Sequence, residues 1–182
     1  MKRNIIILSV LIILSSCSNT PFKNLSKVKY TTTRDEGHEG NSKIAIGIIN
    51  RSVLENDTAF HWFNENYKFA KPDDASAVKA FEEKKDKFQI LIFGGTWCED
   101  TKNLLPLFYK LADKSNFSEK NILLVAVDRT KVAVKDLHKK YNLQLLPTFI
   151  VLHNGIEVGR VVEYGKTGAI DKELGEIVSK IE

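Results

Sequence analysis

The side chain best suited to chemistry in this 182-residue chain is the thiol of Cys98, one of two cysteines in the sequence. It lies in Gly-Thr-Trp-Cys-Glu-Asp-Thr-Lys, residues 95–102, where an apolar run gives way to a helical pattern. Cysteine attacks disulfides as the thiolate, which the unpaired N–H groups of a helix start favour. Glu99 and Asp100 oppose ionisation of the sulfur, and Lys102 partly compensates for them. The segment predicts thiol–disulfide chemistry and leaves the reactivity of the sulfur open.

The second cysteine, Cys17, ends a segment of a different kind. Basic residues precede a ten-residue apolar run at 5–14, which is too short to cross a bilayer and is typical of an export signal. Leu-Ser-Ser-Cys at 14–17 resembles the lipobox of bacterial lipoproteins, whose cysteine is lipidated. An uncleaved signal anchor and an ordinary secreted protein are the alternatives. We expect a lipid-anchored membrane protein of the cell envelope, facing the periplasm, with the outer membrane as the working assignment.

Composition and charge are those of an ordinary globular domain with tails. The chain is 43% hydrophobic and 27% charged, and its formal net charge of +4 gives no basis for a nucleic-acid partner. The four histidines are dispersed and none pairs with Cys98 at a ligand-like spacing, so we expect no metal and no cofactor. The expected partners are exported thiol or disulfide proteins or small thiols, together with the membrane through the lipid anchor.

The sequence divides into four segments. Residues 1–16 are the expected lipoprotein signal peptide, and 17–42, rich in Ser, Thr, Asn, Lys and Gly, are read as lipidated Cys17 followed by a flexible tether. An N-terminal extension at 43–85 is expected to pack on the main domain, which occupies 86–182.

Apolar periodicity predicts the elements that must position Cys98. Short apolar runs indicate strands buried on both faces, and apolar stripes at helical spacing indicate helices. An Asn-Gly pair at 154–155 predicts a tight hairpin between the last two strands. The predicted strands are 43–50, 89–93, 122–127, 148–153 and 156–162, and the predicted helices are 58–69, 72–81, 98–113, 131–141 and 170–181.

Several fixed points resemble the thioredoxin family. Trp97 and Cys98 resemble the Trp-Cys pair at the start of the thioredoxin active-site helix. Lys102 and Pro106 fall at the same distances after the cysteine as the lysine and kink-forming proline of that helix. A mid-helix proline costs about 3 kcal/mol, so its position is informative. Leu-Pro-Thr at 146–148 resembles the cis-proline loop that faces the active-site cysteine.

The resemblance covers residues 86–182 well and implies a thioredoxin fold. That fold is of the α/β class, with a central mixed β-sheet flanked by helices, here with an N-terminal strand and helix extension. The predicted order β-α-β-α-β-β-α of the main domain agrees with it. From about residue 43 onward the chain looks like a group of exported thioredoxin-like proteins of poorly defined activity.

Two departures from the family pattern bear on chemistry. Thr101 takes the place of the second, resolving cysteine, and Ile92 falls where thioredoxin keeps a buried aspartate that assists proton transfer. Cys17, if lipidated as a thioether, cannot substitute as the resolving thiol. The chain therefore does not fit a conventional dithiol reductase. The Thr101 hydroxyl is expected to hydrogen-bond the sulfur or to cap its own helix start.

Two functions of different classes remain open, and the sequence does not decide whether the chain is an enzyme. In the first, Cys98 forms a mixed disulfide with a partner held at Pro147, and an external thiol then releases it. In the second, a non-catalytic binding or scaffold module uses the loop edge of Trp97, Pro147 and Arg129.

The remaining candidate residues surround this loop edge. Arg129 is expected to form a local salt bridge, with an anionic partner as the alternative, and Glu163 is a candidate to face the cis-proline loop. Trp97 is expected to be a contact surface more than a core residue. The candidate catalytic residues are Cys98, Thr101 and Pro147, and the candidate binding residues are Trp97, Asp100, Lys102, Arg129 and Glu163.

Overall fold

One six-stranded sheet with helices on it builds the part of the chain that the computed structural model describes, residues 22, 27–36 and 42–182. The predicted signal peptide and lipidated Cys17 lie outside these residues. The strands are β1 (Lys29–Arg34), β2 (Lys43–Ile49), β3 (Phe88–Gly94), β4 (Ile122–Ala126), β5 (Thr148–His153) and β6 (Ile156–Val162). The helices are α1 (Arg51–Asn56), α2 (Trp62–Phe69), α3 (Ala75–Lys84), α4 (Glu99–Lys114), α5 (Leu137–Lys140) and α6 (Ile170–Ser179).

The sheet is mixed, as predicted. Its strand order is β1-β2-β4-β3-β5-β6, with β3 and β4 parallel and the other described neighbours antiparallel. Ile90 and Ile92 of β3 belong to one core, shared with α3, α4 and α6. Leu91 and Phe93 point to a second core on the opposite face, which includes Leu146. Because both faces are covered, β3 is apolar along its length, and the predicted thioredoxin fold is confirmed.

The structure differs from the expected tether at residues 29–34, which form strand β1. This strand pairs with β2 from Lys29 opposite Ile48 to Arg34 opposite Lys43. Five of its six side chains are exposed, so the strand has no apolar alternation for a sequence reading to detect. Backbone hydrogen bonds hold it at the edge of the sheet, so residues 29–34 belong to the folded domain.

The helix predicted at 131–141 is also corrected. Only Leu137–Lys140 form α5, after a 3₁₀ turn at Val134–Asp136. Lys131 and Lys135 have positive φ angles of 63° and 54°, and that backbone conformation cannot continue a right-handed helix. The spacing of apolar and basic residues matched a helix, but the backbone turns here instead.

Most aromatic residues of the extension lie in the core beside α4, whereas Phe69 is 80% exposed. Phe60 and Phe63 are fully buried, and Trp62 is 8% exposed. The ring of Phe63 packs edge-on against Tyr109 of α4, with centroids 5.6 Å apart.

Across residues 22, 27–36 and 42–182, none of the helices combines the length and apolar character needed to cross a bilayer.

The proline inside α4 has a specific partner in the extension. Pro106 has no N–H, so the carbonyl of Lys102, four residues earlier, loses its usual helical donor. The side-chain amide of Asn66 on α2 donates to this carbonyl at 2.9 Å. The extension therefore satisfies the acceptor that the proline leaves unpaired, in the first turns after Cys98.

We expect Asn66→Ala to lower the free energy of unfolding by about 1–2 kcal/mol, because it leaves a part-buried carbonyl unsatisfied. Urea unfolding followed by circular dichroism measures this loss. Asn64→Ala is the matched control, since Asn64 on the same helix makes a comparable bond to the Glu55 carbonyl at the exposed surface. Equal losses in the two variants would contradict the role given to Asn66.

Candidate active site at Cys98

Cys98 stands at the junction between β3 and α4. It is the N-cap residue of α4, with extended backbone angles (φ −88°, ψ 124°), and its side chain is half-buried. Its N–H donates to the Gly95 carbonyl at 2.9 Å, and its carbonyl accepts from the Lys102 N–H at 3.0 Å. Cys98 therefore stands at the start of a sixteen-residue helix, as predicted from the sequence, and its side chain makes no capping hydrogen bond to that helix.

The proline loop faces this sulfur. The Leu146–Pro147 peptide bond is cis, as the resemblance implied. The Cys98 thiol lies 3.7 Å from the Leu146 carbonyl oxygen, to which it donates a weak hydrogen bond. The Thr148 hydroxyl donates to the Leu145 carbonyl at 2.7 Å and fixes the loop from its far side. Cys98 and Pro147 are thus brought together, although they are distant in sequence.

Glu163 reaches the same loop through its backbone. Its N–H donates to the Pro147 carbonyl at 2.8 Å, directly after β6 ends at Val162. Glu163 is half-buried and has a positive φ of 51°. This contact fixes the loop, and it places Glu163 next to the cis-proline through main-chain atoms.

Thr101 has a different hydrogen bond from the one expected. Its side chain is only 1% exposed, and its Oγ1 accepts a hydrogen bond from the Gly95 N–H at 3.2 Å. Its methyl carbon packs on Gly94, where an added Cβ would lie 3.0 Å away. The first turn of α4 directs this side chain inward beneath the loop, so the residue in the position of a resolving cysteine ties the loop to the helix.

The charges around the first turn of α4 partner one another. The Lys102 ammonium lies 2.6 Å from a Glu99 carboxylate oxygen. Lys102 therefore compensates for Glu99 by a direct ion pair. Asp100 is half-buried beside it, and with Glu99 it places negative charge at the positive end of the helix dipole.

Trp97 is half-buried and tightly packed, so one part of its ring lies against the core and the other part is exposed. Its indole Nε1 donates to the Val127 carbonyl at 3.1 Å, and its ring packs against the second core. An added Cβ on Gly95 would lie 2.8 Å from the indole ring, so this position requires glycine. The predicted contact surface is therefore only the outer part of the ring.

Arg129 makes a salt bridge, as predicted, but its partner is distant in sequence and not local to the loop. Its guanidinium donates to both carboxylate oxygens of Asp35, at distances of 2.8–3.0 Å. The carbon Cζ of Arg129 lies 4.9 Å from the centroid of the Trp97 ring. The neighbouring Asp128 accepts from Thr130 and from the Val132 N–H. Burial alone raises the pKa of Asp128, but these hydrogen bonds outweigh it and hold the pKa below its usual value.

Three residues of this region escaped the sequence analysis, and all three lie at its edges. Asp35 lies just after β1, in the segment read as a tether, and Asn66 lies on an otherwise aromatic helix. Thr96 is 6% exposed, and its hydroxyl oxygen accepts from the Ala45 N–H of β2 at 3.0 Å. No local pattern marks these residues, because each acts on a partner far away in sequence.

No cluster of three or more histidine, cysteine, aspartate or glutamate side chains suited to a metal ion occurs among the described residues. The side chain at this site that is suited to chemistry is the Cys98 thiol, which stands at the helix start beside the main chain of the proline loop.

Comparison with known proteins agrees with this architecture. The family model for thioredoxin matches residues 74–176, which is more than half of the chain. The chain therefore belongs to the thioredoxin family, whose shared chemistry is thiol–disulfide redox exchange.

Its relatives include small thioredoxins. Thioredoxin-1 of Caenorhabditis elegans is 32% identical over 116 residues, covering 64% of this chain and 89% of the relative. The thioredoxin of Echinococcus granulosus is 35% identical over 95 residues, covering 52% of this chain and 82% of the relative. Among solved structures, an HIV epitope scaffold superposes with a TM-score of 0.55 at 15% identity, covering 75% of this chain and 95% of the scaffold. That likeness concerns the fold alone.

We expect Thr101→Val to lower the free energy of unfolding by about 1–2 kcal/mol, because the buried Gly95 N–H loses its acceptor while the volume is kept. Chemical denaturation measures the change. Thr101→Ser, which keeps the hydroxyl, is the control and should retain the bond while losing the methyl contact. A Thr101→Val variant as stable as the parent would show that the hydroxyl does not hold the loop.

Proposed function

We propose that this chain is a single-thiol thiol–disulfide oxidoreductase that acts through Cys98. The observation that carries the proposal is the position of the sulfur, half-buried at the N-terminus of α4 and 3.7 Å from the carbonyl that precedes cis-Pro147. Attack on a disulfide is made by the thiolate, and the start of a helix is a position at which reactive cysteines occur. Membership of the thioredoxin family supports the same class of reaction.

The reaction is an exchange in which one disulfide is broken for each one formed. The Cys98 thiolate attacks one sulfur of a partner disulfide, the partner S–S bond breaks, and the other partner sulfur leaves as a thiolate. A mixed disulfide then joins Cys98 to the partner. An external thiolate attacks this bond, forms a new disulfide with the partner sulfur and regenerates the Cys98 thiolate.

Release by an external thiol follows from the side chains around Cys98. Thr101 stands at the resolving position, and its hydroxyl is bound to the Gly95 N–H. Ile92 is fully buried at the position of the family's proton-transferring aspartate. Neither side chain can attack a mixed disulfide, so the second step is assigned to an external thiol.

The partners we propose are exported thiol or disulfide proteins and small thiols. Leu145 precedes the residue whose carbonyl contacts the sulfur and is 43% exposed, and Tyr164 follows Glu163 and is 42% exposed, so apolar surface adjoins the proline loop. The fixed loop at Pro147 would orient a partner chain laid across it.

The test is disulfide exchange with glutathione mixed disulfides in the full chain. Cys98→Ser is expected to abolish exchange, because it removes the attacking sulfur while nearly keeping the volume. Cys17→Ser serves as the control and should exchange at the parent rate. No exchange in the Cys17→Ser chain, or an unchanged rate in Cys98→Ser, would overturn the proposal.

A non-catalytic binding module is the second candidate. The observation that favours it is the rigid placement of Trp97, whose indole is held by the Val127 carbonyl and covered by Arg129. Such a module would capture partners without covalent bonding, and Cys98→Ser would leave capture intact while Trp97→Ala weakens it. In the oxidoreductase, Cys98→Ser abolishes the trapped, reductant-sensitive complex.

We also propose that Cys17 is lipidated and anchors the protein in the cell envelope. The support is the run of apolar residues at 5–14 followed by Leu-Ser-Ser-Cys. Metabolic labelling with an alkyne fatty acid in a bacterial host is expected to label the parent and to leave Cys17→Ala unlabelled. Equal labelling of the two chains, or none in the parent, would contradict lipidation at this residue.

A further inference from the structure

The N-terminal strand brings a carboxylate to the wall of the Cys98 site. Asp35 follows β1 directly, and its N–H donates to the Ser42 carbonyl at 2.9 Å. Its side chain is 3% exposed, and both carboxylate oxygens accept from the Arg129 guanidinium. A charge-assisted, two-oxygen arrangement of this kind fixes the direction of the guanidinium plane as well as its position.

The far side of that guanidinium lies against the residue next to the reactive cysteine. The Cζ atom of Arg129 is 4.9 Å from the Trp97 ring centroid, within the range of a cation–π contact. The indole is itself fixed by its bond to the Val127 carbonyl at 3.1 Å. Carboxylate, guanidinium and indole thus form a continuous series that ends at Cys98.

Arg129 differs from Asp35 in remaining accessible. Its side chain is 43% exposed, so its charge faces any partner that approaches over Trp97. The buried carboxylate lies within hydrogen-bonding distance behind it and offsets that charge. Without the carboxylate, a solvated cation would stand over Trp97, the residue before the reactive cysteine, and attract anionic disulfides.

We propose that Asp35 is a positioning and specificity-determining residue for this site. It holds Arg129 over Trp97 and offsets its charge, so that the face next to Cys98 does not select anionic partners. The inference rests on the proposed exchange reaction at Cys98, and it adds that a residue directly after β1 sets the charge preference of that reaction.

The first arm of the test reads the charge of this face without using Cys98. In a Trp62→Phe background Trp97 is the remaining tryptophan, and its fluorescence is quenched with iodide and with neutral acrylamide. Asp35→Asn is expected to raise the iodide-to-acrylamide quenching ratio by about twofold at low salt, because anions gather near an uncompensated cation while acrylamide corrects for exposure.

The second arm reads the charge preference of the thiol in the full chain carrying Cys17→Ser. The Cys98 thiolate attacks dianionic 5,5′-dithiobis(2-nitrobenzoate) or uncharged 2,2′-dithiodipyridine, forms a mixed disulfide and releases the aryl thiolate or thiopyridone. Asp35→Asn is expected to raise the ratio of the anionic to the neutral rate constant by about threefold to tenfold, and salt should suppress the rise. Adding Arg129→Gln should abolish it.

Asp113→Asn is the matched control for both arms. Asp113 makes a similar two-oxygen pair with Arg51 at 2.8 Å, near the opposite end of α4 from Cys98. Its substitution should leave both ratios at the parent value. If Asp35→Asn does not fold, the Arg129→Gln variant alone tests the proposal. It leaves the negative charge of Asp35 without the arginine, so both the quenching ratio and the rate ratio must fall below the parent values.

The proposal is overturned if Asp35→Asn leaves the iodide-to-acrylamide quenching ratio unchanged. It is also overturned if Cys98 reacts with the two disulfide reagents and Asp35→Asn leaves the ratio of their rate constants unchanged. A rise in both ratios that Arg129→Gln removes supports it. If the parent Cys98 reacts with neither reagent, the proposed function fails instead, and the quenching ratio alone decides whether Asp35 sets the charge of this face.

Discussion

The end of β3 is the constraint on which the site depends. Both faces of this strand are buried, so the chain must leave the core at Gly94 in a direction that the sheet fixes. The Gly94 carbonyl accepts from the Val127 N–H at 3.0 Å, which aligns the ends of the two parallel strands. The Gly95 N–H then donates to Thr101, and α4 begins directly after Cys98. The position of the sulfur is therefore set by core packing and by two hydrogen bonds at the strand end.

The N-terminal extension, together with residues 27–36 before it, also contributes to this junction. Thr96, in the loop, accepts from the Ala45 N–H, and Asn66 satisfies the carbonyl that Pro106 leaves free. Asp35 fixes the arginine that covers the indole beside the sulfur. The extension therefore supplies part of the active-site wall, and residues outside the thioredoxin family match govern the charge and shape of the site.

The sequence was sufficient to predict those parts of the structure that a local sequence motif identifies. Cys98 at a strand-to-helix junction and the proline loop at 146–148 were predictable, because apolar runs, a mid-helix proline and short motifs identify them. The helix expected at 131–141 was wrong because apolar spacing does not detect left-handed residues. The bond from Gly95 to Thr101 and the ion pair of Asp35 join parts of the chain that only folding brings together, and an exposed edge strand gives no alternation to read.

We propose that Cys98 forms a mixed disulfide and that no group among the described residues releases it. The direct measurement is intact mass spectrometry of the full chain carrying Cys17→Ser after treatment with oxidised glutathione. We predict a single glutathione adduct on Cys98. It should persist after the excess reagent is removed and disappear when an external thiol is added. Failure to form the adduct, or its loss in the absence of external thiol, would contradict the account.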